Sequence, residues 1–189
     1  MKNQKSSVAA VIVTFNRADK LKNVIDALLS QTINLDAIYV VDNASTDNTQ
    51  ELLKTYSGSA VTPVLLPQNV GGAGGFHAGL RLAYEKGHEH IWVSDDDAYP
   101  EPDALEVLLK TMHRFDAETQ WRTPYACSKV NWIDGTICAM NIPSPVWDWP
   151  RWYDKSQPFF LVGSCSFVSV MVARWAIEKH GLPIKDYFI

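Results

Sequence analysis

A chain of 189 residues with 47% hydrophobic and 20% charged side chains has the make-up of one soluble globular domain with a real core. Its net charge of −4 argues against nucleic acid or an anionic lipid surface as the main partner. The three cysteines, Cys127, Cys138 and Cys165, are an odd set without metal-ligand spacing, which favours a reduced, intracellular setting over a disulfide framework.

Residues 1–7 read as a tail. Residues 8–15 are largely apolar and β-branched, as a buried parallel strand requires; the run is too short to span a membrane, and no small-residue cleavage site follows it. Thr14-Phe15-Asn16-Arg17 turns out of that strand, and Asp19 opens a helix with Leu21, Val24, Ile25, Leu28 and Leu29 at helical spacing. Ala37 to Val41 is a second strand, followed by the polar turn Asp42-Asn43-Ala44-Ser45-Thr46-Asp47 and a helix carrying Leu52 and Leu53. Val61 to Leu66 is a third strand, and Pro63 puts it near a sheet edge. Asn69 to Gly75 reads as a glycine-rich turn, with a helix after it to about Glu85. Ile91 to Ser94 is the fourth strand and runs into Asp95-Asp96-Asp97. Pro102 to Arg114 is a helix with proline in its first turn. This alternation predicts an α/β fold, a mostly parallel central sheet flanked by helices.

The pattern loosens after Phe115. Tyr125 to Cys138 reads as a hairpin around Asp134-Gly135. Residues 141–158 are proline-rich and hold Trp147, Trp149 and Trp152, either an interaction surface, with faces suited to stack on sugars, or a satellite core. Phe159 to Val172 reads as buried strand, and Ala173 to His180 as a short helix closed by Gly181. One domain is expected over 8–189.

Three consecutive carboxylates repel one another, and a fold accommodates them most easily around a cation. Oxygen ligands suit Mg²⁺ or Mn²⁺, ions that also bind substrate phosphates. In an extended chain Asp95 and Asp97 share a face while Asp96 points elsewhere. Asp42 is suited to accept a hydrogen bond from a nucleobase ring N–H, and Gly71 to Gly75 to let backbone amides approach sugar or phosphate. Each feature alone has a plainer reading. The aspartate run is then an acidic helix start, Asp42 to Asp47 a turn and cap, and the glycines a tight turn. Asn16 and Arg17 become turn residues, His77 a helix-surface residue and Gly163 a packing glycine. Their shared position favours one site, because four polar clusters fall at the carboxyl ends of strands, where open parallel sheets bind ligands.

In this order and at these spacings the motifs resemble the family 2 glycosyltransferases, which have the GT-A (Rossmann-like) nucleotide-diphospho-sugar transferase fold. Asn69-Val70-Gly71-Gly72-Ala73-Gly74-Gly75-Phe76 and the triple aspartate are similar to the galactofuranosyltransferase and rhamnosyltransferase branch. The resemblance implies a metal-dependent, inverting transferase that moves a galactofuranose- or rhamnose-like sugar from a nucleoside-diphosphate donor to a saccharide or glycolipid acceptor of the cell surface. It implies that Thr14, Phe15 and Asn16 line the nucleobase pocket with Arg17, that Asp42 binds the base beside Asn43, and that Asn69, Gly71 and Gly72 lie along ribose and diphosphate. Asp95 and Asp97 would hold Mn²⁺ or Mg²⁺, and Asp96 would face the donor sugar. Residues 115–189 would form the acceptor side. Asp186-Tyr187-Phe188-Ile189 resembles the segment before the family's acidic base motif, so the domain is expected to be C-terminally truncated and to lack its base. The alternative is then a non-catalytic nucleotide-sugar-binding fragment. The expected setting is cytoplasmic or peripheral at the inner face of the membrane, with no transmembrane segment and no nucleic-acid partner. A sugar-nucleotide pyrophosphorylase would need a glycine-rich loop after the first strand, and Thr14 to Lys20 has no glycine.

Overall fold

The computed structural model describes residues 7–142, 144–145, 162–164 and 168–186. In chain order it contains β1 (Val8–Thr14), α1 (Ala18–Leu29), β2 (Ala37–Asp42), α2 (Thr49–Thr55), β3 (Val61–Leu65), α3 (Gly71–Glu85), β4 (His90–Asp95) and α4 (Ala104–Glu118). There follow β5 (Tyr125–Cys127), β6 (Ser144–Pro145), β7 (Val162–Ser164), β8 (Ser169–Ala173) and α5 (Arg174–His180). Six strands form one sheet in the order β3-β2-β1-β4-β8-β5. β1 to β4 pair in parallel, whereas β8 runs antiparallel to both of its neighbours. Strands β6 and β7 pair separately.

The unbroken apolar character of β1 and β2 follows from burial on both faces. Ala10, Ile12, Ile38, Val40, Trp92 and Met171 point one way, toward Leu21, Val24, Ile25 and Leu28 of α1 and Leu105, Leu108 and Met112 of α4. Ala9, Val11, Tyr39, Val41, Ile91 and Val93 point the other way, toward Phe76, Leu80 and Ala83 of α3 and Ile177 of α5. Two glycines of α3 are required by this packing. A Cβ on Gly75 would lie 2.5 Å from Val13 Cγ1, and one on Gly79 would lie 2.4 Å from Val11 Cγ1 and 3.0 Å from Val41 Cγ2. The helix therefore rests on the sheet through its own backbone.

The expected strands and helices of the first half are present, and Pro63 does sit on an edge strand. Four expectations are corrected. The glycine run is not a turn ahead of the helix: α3 begins at Gly71, because Asn side chains tie down the preceding backbone. Helix α4 starts at Ala104 and continues to Glu118, past Arg114. The hairpin around Asp134-Gly135 is confined to a bridge between Asn131 and Ile137; its expected first strand, β5, joins the main sheet instead. The single strand over 159–172 is replaced by β7 and β8, on different sheets. Trp147, Trp149 and Trp152 lie outside the described residues.

Candidate functional site

Strand register brings the polar clusters together. Thr14, the last residue of β1, is opposite Asp42, the last of β2, and Val13 is opposite Asp95, the last of β4. All three strands are parallel, so their carboxyl ends form one edge. The loops that leave it are braced by side-chain hydrogen bonds from one to the next.

Asn16 has φ of 55°, a conformation that asparagine tolerates better than most residues. Its Oδ1 accepts from the backbone N–H groups of Thr46 (2.7 Å) and Asp47 (3.3 Å), and its own N–H donates to Ser45 Oγ at 2.9 Å. The loops after β1 and β2 are thereby joined. Asn43, almost wholly buried, joins the loop after β2 to the start of α3: its Oδ1 accepts from Val70 N at 2.9 Å and its Nδ2 donates to Gly71 O at 3.1 Å. Asn69 Oδ1 accepts from Gly71 N at 2.8 Å. The resemblance places all three asparagines at a nucleotide; in the structure the side-chain oxygen of each also holds backbone in place.

Asp42 is fully buried, with Oδ1 accepting from Ser45 N at 2.9 Å and Oδ2 from Gln50 Nε2 at 3.3 Å. A carboxylate has about four lone-pair positions, so capacity for a further donor remains, but access to it requires local opening. Phe15, by contrast, is exposed on the rim. Gly72 also faces open space, with nothing within 4 Å of where a Cβ would stand. The amide groups of this first helical turn have no intrahelical partner.

The acidic run departs from the extended geometry expected of it. The chain turns after Asp95, with Ala98 N donating to Asp95 O at 3.4 Å, so strict alternation of faces ends at the strand. Asp96 turns inward and is 6% exposed. Its Oδ2 accepts from Thr14 Oγ1 at 2.7 Å and its Oδ1 from Arg17 Nη1 at 3.2 Å. Asp97 is at the rim, where its Oδ2 accepts from both Arg17 Nη1 (3.0 Å) and Lys20 Nζ (3.1 Å). The Asp95 carboxylate has no hydrogen-bond or ion-pair partner among the described residues, and it is half-buried. Desolvation pushes its pKa above the ordinary carboxylate value, and repulsion from Asp97 and then Asp96 adds to this. Burial also raises Asp96, against the Thr14 hydrogen bond and the Arg17 charge.

No three His, Cys, Asp or Glu side chains converge on one metal position among the described residues. The donor set still fits a hard divalent ion: Mg²⁺-type sites commonly use one or two carboxylates and complete their shell with water and substrate phosphates. An unpartnered Asp95 beside a rim-exposed Asp97 supplies those two.

The sequence reading passes over three participants, two of which carry no signature of function. Gln50 reaches back from α2 to Asp42. Ala44 takes φ of 64° in the turn after β2, a strained conformation for alanine. Lys20 could have been found, since it follows Arg17 by three residues at a helix start and so shares its face.

The doubly wound, mostly parallel sheet, with an acidic turn at the carboxyl end of its fourth strand, has the fold of the GT-A glycosyltransferases. A mannosyltransferase from Pyrobaculum calidifontis, solved with GDP-Man and Mn²⁺, superposes with a TM-score of 0.66 at 20% identity, over 95% of this chain and 48% of that one. Residues 1–349 of S. aureus TarS with UDP give 0.64 at 14% identity, over 92% and 48%. The chain belongs to glycosyl transferase family 2, whose model matches residues 9–170. It is 38% identical over 109 residues to the galactofuranosyltransferase GlfT1 of Mycolicibacterium smegmatis, covering 56% of this chain and 35% of that protein. It is 36% identical over 119 residues to GlfT1 of Mycobacterium tuberculosis H37Rv, covering 58% and 36%. The chain thus spans about a third of the length of these two galactofuranosyltransferases and about half of these two solved structures.

Proposed function

We propose that this chain forms the donor-binding part of a metal-dependent, inverting glycosyltransferase. The sugar moved would be galactofuranose- or rhamnose-like, passing from a nucleoside-diphosphate donor to a saccharide or glycolipid acceptor. One observation carries the reading: a half-buried, unpartnered Asp95 carboxylate beside two further aspartates, on the edge where parallel sheets take their ligands. Similarity to galactofuranosyltransferases supports the sugar class.

In this reading Asp95 and Asp97 hold Mn²⁺ or Mg²⁺, which supplies charge neutralisation for the departing diphosphate. Thr14 and Arg17 fix Asp96, and through it the acidic turn. Asn43 and Asn69 hold Val70 and Gly71 so that the open side of Gly72 receives phosphate oxygens. Phe15 offers an exposed ring to a nucleobase, Asn16 shapes the pocket wall, and Asp42 accepts from the base once its loop opens. Attack by the acceptor hydroxyl needs a general base, a carboxylate in this reading. Asp96 has both oxygens engaged, and Asp95 and Asp97 are assigned to the metal, so none of the three takes that role. The reading extends to a single domain over 8–189 that is cytoplasmic or peripheral at the inner face of the membrane; no described helix is long and apolar enough to cross one.

The test is calorimetric titration with UDP and with dTDP, each with Mn²⁺ and with EDTA. Metal-dependent binding of either supports the reading, and the preferred base narrows the donor. Binding that ignores EDTA removes the metal from the site. Binding without transfer to any saccharide acceptor favours a nucleotide-sugar-binding module.

A further inference from the structure

The acidic turn holds three carboxylates against two cations, and they are not evenly matched. Asp97 Oδ2 receives both Arg17 at 3.0 Å and Lys20 at 3.1 Å, while Asp95 receives neither. Arg17 has a second anchor on Asp96 at 3.2 Å; Lys20 has none among the described residues. The Lys20–Asp97 pair lies at the rim, with side-chain exposures of 53% and 38%. A divalent ion at Asp95 and Asp97 would share the Asp97 carboxylate with an ammonium that already contacts its Oδ2. Cations held at one carboxylate repel each other and compete for its charge. Arg17 can release Asp97 and stay on Asp96, whereas Lys20 can only leave.

We propose that Lys20 is a built-in competitor of the metal: its ammonium neutralises Asp97 in the metal-free protein and is displaced when the ion enters. It therefore sets metal affinity without touching the metal. The proposal rests on the reading that Asp95 and Asp97 hold the ion. A lysine that merely props Asp97 in a ligating pose has the opposite sign of effect, so the two roles separate.

The experiment is Mn²⁺ titration without nucleotide, read by loss of the free-ion electron paramagnetic resonance signal. It compares the wild-type chain with Lys20→Met, Lys20→Arg and Asp97→Asn, each checked by thermal unfolding. Expected are roughly two- to fivefold tighter binding by Lys20→Met, the scale of an exposed ion pair, wild-type affinity in Lys20→Arg, and loss of the site in Asp97→Asn. Unchanged or weaker binding by Lys20→Met, with Asp97 still required, overturns the competitor role and leaves the metal reading standing. A wild-type chain that binds no Mn²⁺, or an Asp97→Asn chain that binds it equally well, overturns both.

Discussion

The two sides of the central sheet are finished differently. On the parallel side, β1 to β4 end in loops that tie one another down through Asn16, Asn43, Asn69, Thr14 and Arg17. On the antiparallel side, beyond β8 and β5, the chain from Trp132 to Ile142 exposes Trp132, Ile133, Ile137, Met140 and Ile142, each by more than half. The first half resembles a finished binding edge, its loops braced by their own side chains and only the Asp95 carboxylate of the acidic turn left without a partner among the described residues. The second leaves apolar surface of the kind that marks interaction sites. Under the proposed function, donor recognition is built into the braced loops, while acceptor recognition draws on groups outside them.

The strongest way to break this picture is through the acidic turn. Asp95→Asn or Asp97→Asn should weaken Mn²⁺-dependent nucleotide binding by about 100-fold, since even indirect partners of a metal are worth 10–100-fold. A smaller loss in the titration would mean that the braced edge binds its ligand without a metal. Next in size is Gly79→Ala in α3. Helix propensity alone favours alanine by about 1 kcal/mol, but the new Cβ would meet Val11 and Val41, and overpacking of this kind costs about 1–3 kcal/mol. Net destabilisation in urea unfolding is expected; a gain would show that α3 can lift from the sheet. Asn43→Ala should lower stability by about 1–3 kcal/mol, because Val70 N–H is left without its partner. It should weaken nucleotide binding as well, and normal binding would argue that the start of α3 is not a diphosphate site.

The smallest effect is on pH dependence. Burial raises the pKa of Asp95 and Asp96 above 3.8, so the metal-free folded state holds protons that the unfolded chain has released. Their contribution is fully present below the unfolded value and is lost as pH rises through the raised folded values. From pH 3 upward wild type should therefore lose stability relative to Asp95→Asn, and Mn²⁺ should restore that difference. Identical profiles would mean that Asp95 is already neutralised by a partner.

The parallel half was legible because its signals are local and agree. Apolar runs, helical spacing and Pro63 each specify one element, and a parallel arrangement places the ends together. The chemistry of individual side chains was less legible. Asn43 and Asn69 read as ligand groups in the sequence, and only the hydrogen bonds of the folded chain show that they also brace the backbone of Val70 and Gly71. The glycines of α3 carry two different roles in one run: Gly71 has φ of 74° at the helix start, while Gly75 and Gly79 admit the sheet. Spacing alone does not separate them. The antiparallel half was misread for a different reason. Tyr125 to Cys138 contains a good turn signal, but β5 finds its partner in β8, far along the chain, and no local pattern encodes that choice.

The position of β8 also bears on how the molecule is made. Synthesis delivers β1 to β4 and then β5, yet β4 and β5 are joined in the sheet only through β8, which emerges after both. Trp92 waits for Met171 on one side, and Ala126 waits for the same residue on the other. Until then β4 presents an open edge of unpaired backbone beside a half-covered tryptophan, the type of surface that recruits foreign strands. The nascent chain therefore passes through a window in which chaperone capture competes with aggregation, and destabilising β8 should lower soluble yield before it alters anything at the donor edge.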